Sequence, residues 1–70
     1  MRTYRYRITI GGSLGTVFCA AFEDFTIEVS GARTWLIADL DQAALFGALN
    51  RIQSVGLELI EVIRIPRDAG

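Results

Sequence analysis

A chain of 70 residues has room for one domain, residues 1–70, and a domain of this size buries only about 60% of the surface that its unfolded chain exposes. Its formal net charge of −1 excludes the strong positive potential that attracts duplex nucleic acid or anionic lipid. With one cysteine, Cys19, and no histidine, the chain has neither an internal disulfide framework nor the base of a histidine-assisted nucleophile.

The cellular compartment can be predicted from the cysteine content and from the absence of membrane and secretion signals in the sequence. A single cysteine fits a reducing environment, and no apolar run approaches the roughly 18 residues that a membrane-spanning helix needs. The first ten residues alternate in polarity, whereas a signal peptide has a cationic segment followed by an apolar block. We therefore expect a cytoplasmic protein without a membrane partner.

The hydrophobic fraction is high for so short a chain. It reaches 51%, above the usual range for soluble domains, while the core of a small domain has little volume. Self-association hides such an excess of apolar surface, and we therefore expect a homodimer. The alternative is a well-packed monomer that leaves some apolar atoms exposed, as folded proteins commonly do.

The first two elements differ in their hydrophobic period. Residues 3–10 alternate between apolar and polar side chains, which predicts a half-buried strand. Residues 13–23 change to a helical period, with Ser13 as the predicted N-cap, and Gly15 lowers the stability of this helix by about 1 kcal/mol. The predicted apolar stripe consists of Leu14, Val17, Phe18, Ala21 and Phe22.

A hairpin follows. Residues 25–29 and 33–38 read as two strands, and the sequence Ser-Gly-Ala at residues 30–32 is a turn signal between them. The second of these strands carries apolar residues at both odd and even positions, so neither of its faces is clearly the solvent side.

The second helix has the clearest boundaries. Asp39 and Gln42 have the spacing of a capping box, and Asp41 lies near the positive end of the helix dipole. Gly56 is placed to end the helix in a left-handed conformation, with Leu57 as the accompanying apolar contact. The predicted buried face comprises Leu45, Ala48, Leu49, Ile52 and Val55. Residues 57–65 then form the last strand, which Pro66 ends.

The order strand, helix, strand, strand, helix, strand predicts an α+β, ferredoxin-like βαββαβ fold. Right-handed crossovers would place both helices on one face of a four-stranded antiparallel sheet, with strand order 4-1-3-2. The other face would carry polar side chains of the first strands together with apolar residues of the last two. We predict that a second copy covers this face, and the candidate contact residues are Arg5, Arg7, Trp35, Ile37 and Ile63.

The basic and aromatic residues on that face allow another interpretation. Arg5, Arg7, Arg33 and Trp35 are residue types found on RNA-binding sheets, where bases stack on aromatic rings. The sequence lacks the signature motifs of such sheets, and Glu28 and Glu61 are placed to neutralise the arginines. We therefore expect cross-strand ion pairs or a protein contact here, and no nucleic-acid partner.

The loop before the second helix is the candidate ligand loop, with residues Asp39, Asp41 and Gln42. The segment from Asp41 through Leu45, Leu49 and Ile52 to Gly56 resembles the helix-and-strand signature of ACT domains, which are regulatory modules. This resemblance implies that a small metabolite, such as an amino acid, binds near the start of the helix. The glycine that the family favours in its ligand loop is absent here.

A second resemblance covers residues 4–63. The chain is similar to a group of short bacterial proteins, mostly from actinobacteria, in which a Tyr-Arg-Ile strand is followed later by Asp-Gln-Ala-Ala-Leu-x-Gly and by Gly-Leu. Here these residues are 6–8, 41–47 and 56–57, and Phe46 stands where the group often has histidine. The resemblance implies the fold and carries no activity with it.

The remaining motifs do not predict chemistry. The loop Gly-Gly-Ser-Leu-Gly at residues 11–15 lacks the spacing of phosphate-binding loops, so we interpret it as a turn and expect no cofactor. Cys19 has no histidine to activate it, which favours a role as a small packing residue. The acids Glu23, Asp24, Asp39 and Asp41 do not have the spacing of a metal-ligand loop.

The sequence therefore predicts a non-catalytic interaction or assembly module that forms homodimers or binds another protein. The alternative is an ACT-like sensor that binds a small metabolite near Asp41 and Gln42. A dimeric enzyme with a pocket at the subunit junction is a third class, for which the sequence offers no catalytic pair.

Overall fold

A computed structural model describes residues 2–12 and 15–66. The predicted element order is confirmed, although several boundaries move. The elements are β1 Tyr4–Gly11, α1 Thr16–Ala21, β2 Thr26–Ser30, β3 Arg33–Leu40, α2 Gln42–Ser54 and β4 Leu59–Ile65. The alternating residues form strands, and the segments of helical period form helices.

The four strands make one antiparallel sheet with the order β2-β3-β1-β4. This is the predicted order viewed from the opposite edge, with the first and third strands at the centre. In register, Ile8 lies between Leu36 on β3 and Val62 on β4. The α+β class, with a four-stranded antiparallel sheet and two helices, is confirmed.

The core lies between one face of this sheet and the helices, and we call this face the covered face. Its buried apolar residues among those described are Ile8, Ile10, Phe22, Leu36, Leu45, Ala48 and Ile52. Phe22 ends α1, and the Arg51 side chain of α2 donates a hydrogen bond to the Ala21 carbonyl at 2.6 Å. The end of α1 and the buried side of α2 therefore pack on the same face of the sheet.

The first helix is shorter than predicted. It runs over Thr16–Ala21, and its N-cap is Gly15, which has no side chain to cap with. Ser13, the predicted N-cap, and Leu14 of the predicted stripe lie outside the described residues. A first turn without an acidic residue or a side-chain cap leaves its free N–H groups weakly satisfied, which favours a short helix.

The predicted capping box at the start of α2 is wrong. The N-cap is Asp41, whose carboxylate accepts a hydrogen bond from the Ala44 amide at 2.7 Å. Asp39 belongs to β3, where it lies opposite Arg5 of β1. The strand continues two residues beyond its predicted end because pairing with β1 extends to Leu40. The helix therefore starts later, and Gln42 becomes its first residue.

The predicted end of α2 is confirmed. Gly56 has a φ of 77°, and its N–H donates to the Gln53 carbonyl at 3.1 Å. The Leu57 amide donates to the Ile52 carbonyl at 3.2 Å, and the Leu57 side chain packs against the core. These two hydrogen bonds define a Schellman motif, in which glycine takes the left-handed position without steric cost.

The hairpin is also confirmed, with each strand displaced by one or two residues from its predicted bounds. Gly31 has a φ of 61°, and it is the first of the two residues that link Ser30 to Arg33. Only this residue of the turn has positive φ, which is the pattern of a type II′ turn and suits the twist of the two strands.

Candidate functional site

The second face of the sheet, which we call the open face, points away from the helices. Its side chains follow from the register of the strands. They are Arg5, Arg7 and Thr9 of β1; Thr26, Glu28 and Ser30 of β2; Arg33, Trp35, Ile37 and Asp39 of β3; and Glu61, Ile63 and Ile65 of β4. All five predicted contact residues therefore lie on one face of three neighbouring strands.

Arg7 occupies the middle of the open face. It pairs in register with Ile37 on one side and with Ile63 on the other. Its guanidinium carbon lies 4.5 Å from the centroid of the Trp35 ring, and its Nη2 lies 3.9 Å from Glu61 Oε1. The arginine thus links β1 to both of its neighbouring strands through a cation–π contact and a loose ion pair.

The Arg7 guanidinium is incompletely satisfied. Its Nε is buried, and it has no hydrogen-bond acceptor among the described residues. A buried donor without an acceptor costs about 1–3 kcal/mol. The centre of the open face therefore contains an unsatisfied donor that lies beneath its surface.

Arg5 and Asp39 form the second ion pair of the open face. Arg5 Nε donates to Asp39 Oδ1 at 3.0 Å, and Arg5 Nη2 donates to Oδ2 at 3.5 Å. Both side chains are 41% exposed, and an exposed pair of this kind contributes at most about 1 kcal/mol. The prediction of cross-strand ion pairs is confirmed for Glu61, which pairs with Arg7. Arg5 pairs with Asp39, which the sequence did not predict as its partner.

The structure separates the residues of the candidate ligand loop. The Asp39 carboxylate meets Arg5 on the sheet, whereas the Asp41 carboxylate caps α2. Gln42 lines a different cleft, together with Tyr6 and Phe46. The three polar side chains therefore do not converge on one ligand.

Asp39 does line a larger cleft, which we call the edge cleft. It has a volume of about 860 Å³, and its walls include Arg5, Asp24, Asp39, Gly47 and Arg51. It opens because β2 begins opposite residue 37 of β3, so the last three residues of β3 have no strand on that side. The sequence signal for this cleft was the set of small residues on one side of α2, at positions 44, 47 and 48.

Three further features bear on function: the grouping of metal-ligating side chains, the cysteine and the length of the helices. Across residues 2–12 and 15–66, no group of three histidine, cysteine or carboxylate side chains could hold a metal ion. Cys19 is half-buried in α1, as expected of a packing residue. None of the described helices is long and apolar enough to cross a membrane.

Comparison with known proteins identifies one family. The model of a "Domain of unknown function (DUF8691)" matches residues 5–63, and the chain belongs to this family. The matched segment begins in β1 and ends in β4, and it includes the open face except for Ile65. Comparison with curated proteins and with solved structures finds no match.

Proposed function

We propose that this member of the DUF8691 family is a non-catalytic assembly module of the cytoplasm, in which the open face of one copy packs against the open face of a second. The observation that carries the proposal is the group of half-buried apolar side chains on a face that the helices do not cover. They are Trp35, Ile37, Ile63 and Ile65. A second layer would remove these side chains from water, which is favourable in proportion to the apolar area.

The size of the core supports a second layer. The hydrophobic fraction is 51%, yet only seven apolar residues among those described are buried. The residues of the covered face already close the core. The apolar residues that β3 and β4 place on the open face are therefore not part of the core. A homodimer supplies the missing layer from the same sequence.

The charge pattern favours a protein partner over a nucleic acid. The open face carries three arginines (5, 7 and 33) and three acids (28, 39 and 61), so its formal charge sums to zero. Two of the arginines already have acidic partners. A phosphate backbone needs unpaired cations, whereas a protein contact is favoured by neutralised charge.

The area of the open face limits how much surface a dimer can bury. Four strands with a spacing of about 4.8 Å and a length of about 26 Å give a flat area of about 500 Å². A standard interface buries about 800 Å² of accessible surface per partner, so the dimer must use the whole corrugated face. A dimer that buries a small area dissociates on dilution, so the mass of the protein in solution should be measured over a range of concentrations.

Light scattering tests the proposal. The mass at high concentration should be twice 7.7 kDa. Trp35→Arg should give folded monomer, because it places an unpaired cation in the contact. Val29→Arg is the matched control, since Val29 belongs to the other side of the edge strand and is 64% exposed. A wild-type monomer at every concentration, or equal dissociation of both variants, would contradict the proposal.

We further propose that the fold belongs to the ferredoxin-like class. Its support is the element order and the sheet order β2-β3-β1-β4, and the assignment also requires that both crossovers be right-handed. The family match and the resemblance to short bacterial proteins cover nearly the same segment, which supports the inference that they describe one group.

A second candidate function is an ACT-like sensor, and the edge cleft is the observation that favours it. Arg5 and Arg51 contribute positive charge, and Asp24 and Asp39 contribute negative charge, to a cleft large enough for an amino acid. A zwitterion would match this pairing of charges.

Filling the cleft tests the sensor. A Cβ at Gly47 would meet no atom within 4 Å, so Gly47→Leu should fold and should occupy the cleft. A thermal-shift screen of amino acids and nucleotides should give a ligand that stabilises the wild type and Ala43→Leu but not Gly47→Leu. Ala43 is exposed on the same helix and serves as the control. No shift with the wild type at millimolar ligand would contradict this function.

A further inference from the structure

A second cleft lies on the covered side of the sheet, away from the open face. It has a volume of about 440 Å³ and lies between the start of β1, the end of β4 and the first turns of α2. This volume is within the range of small-molecule sites. We call it the aromatic–arginine cleft, and its walls include Arg2, Tyr4, Tyr6, Gln42, Phe46 and Arg64.

The topology brings these residues together from both ends of the chain. Tyr4 and Tyr6 are alternate residues of β1, so both side chains point towards the helices. Arg64 of β4 lies opposite Tyr6 in register. Phe46 is one turn beyond Gln42 on α2, so the two side chains share one side of the helix.

The two arginines make the cleft positive. The Arg64 guanidinium carbon lies 3.8 Å from the centroid of the Tyr4 ring, and Arg2 Nη1 donates to the Tyr4 hydroxyl at 3.3 Å. Within the described ranges, neither arginine has an ion pair with a carboxylate, and the cleft has no acidic residue in its lining. Two neighbouring cations on one tyrosine leave several N–H donors for an anion.

The cleft also offers an apolar surface. Phe46 is 57% exposed, which makes it one of the most exposed large apolar side chains among the described residues. Leu45 beside it is buried, so the exposed ring is not required to close the core. An aromatic ligand would gain contact with Phe46 that water does not provide.

From these contacts we propose that the aromatic–arginine cleft binds a small organic anion that carries an aromatic ring. The anionic group lies between Arg2 and Arg64, and the ring packs against Phe46. Carboxylates and phosphate esters share this chemistry. The cleft and the open face are on opposite sides of the sheet, so binding does not require a monomer.

An amide chemical-shift titration tests this site with defined probes. Phenyl phosphate and benzoate carry both a ring and a charge, inorganic phosphate lacks the ring, phenol lacks the charge, and benzylamine has the opposite charge. We expect saturable shifts at Gln42, Phe46 and Arg64 with the two ring-bearing anions, and weaker binding of the other three probes. The better of the two anions identifies the preferred charged group.

Two variants and one control variant separate the contributions of the charge and of the ring to binding. Arg64→Gln should weaken binding of the preferred anion at least about tenfold, because it removes a charge-assisted hydrogen bond. Arg33→Gln makes the same charge change on the exposed end of β3 and should bind as the wild type does. Phe46→Ala should weaken the binding of the ring-bearing anion and leave the binding of inorganic phosphate unchanged.

The titration can also refute the site. The absence of saturable shifts at these amides, or equal weakening by Arg64→Gln and Arg33→Gln, would overturn the proposal. Equal binding of inorganic phosphate and phenyl phosphate would overturn the requirement for a ring. The spectra themselves show whether each variant is folded.

Discussion

The two faces of the sheet use the same strands in different ways. On the covered face, Ile8, Ile10 and Leu36 are fully buried beneath the helices. On the open face, Trp35 and Ile63 are only half-buried, although they belong to the same strand pairs. The covered face completes a core within one chain. The open face has apolar side chains that this core does not use, and this difference is the basis of the proposed dimer.

Buried polar groups on the two faces differ in the same way. Thr34 is fully buried on the covered face, and its hydroxyl donates to the Gly12 carbonyl at 2.8 Å. Arg7 Nε is buried on the open face and has no acceptor among the described residues. Buried polar groups in folded proteins nearly always have partners. The covered face is therefore complete as it stands, whereas the open face retains an unsatisfied buried donor.

The largest expected effect comes from shortening one side chain on each face. Leu36→Ala should lower the free energy of unfolding by about 2–5 kcal/mol, because it leaves a cavity in the small core. Ile63→Ala should leave the monomer nearly as stable and should weaken the dimer instead. Urea unfolding at several protein concentrations separates these effects. Equal loss of stability in the two variants, independent of concentration, would remove the distinction between the faces.

A pair of threonines gives an intermediate effect. Thr34→Val should cost about 1 kcal/mol, because it removes the buried hydrogen bond to Gly12. Thr26→Val on the open face should change stability by less than about 0.5 kcal/mol, since Thr26 is exposed. Thermal unfolding of both variants provides the measurement. A larger loss for Thr26→Val would mean that the hydroxyl on the covered face is not a stabilising contact.

The smallest expected difference concerns the two aspartates near α2. Asp41→Ala should cost about 1 kcal/mol, because it removes the N-cap. Asp39→Ala should cost a few tenths of a kcal/mol, because its pair with Arg5 is exposed. The urea concentrations at the unfolding midpoints of the two variants provide the measurement. The reverse order would restore Asp39 as the cap and contradict the assignment of Asp41.

The sequence predicted the elements whose signals are local. The alternation of residues 3–10 and the stop at Gly56 and Leu57 were both correct, because side-chain period and helix capping act within a few residues. The start of α2 was not predicted, since β3 ends where its pairing with β1 ends, at Leu40 opposite Tyr4. That contact joins residues far apart in the chain, and a local capping pattern contains no information about it.

The same limit applies to the sites. The open face could be predicted, because strand alternation assigns side chains to faces once the strand order is known. The two clefts could not be located, because they depend on where neighbouring elements end, although the small residues at positions 44, 47 and 48 are a local signal for the edge cleft. The edge cleft lies where β2 begins opposite Ile37, three residues before the end of β3. The aromatic–arginine cleft lies where Tyr4 of β1 and Arg64 of β4 come into contact.

The most direct measurement uses the only tryptophan of the chain, Trp35, which lies on the open face. Acrylamide quenching of its fluorescence reports how much of the ring water can reach. If a second copy covers the open face, quenching should be weak in the wild type and clearly stronger in Ile63→Arg, which places an unpaired cation beside it. Equal and strong quenching of the two proteins, at concentrations where both are folded, would show that Trp35 faces water and would contradict the account.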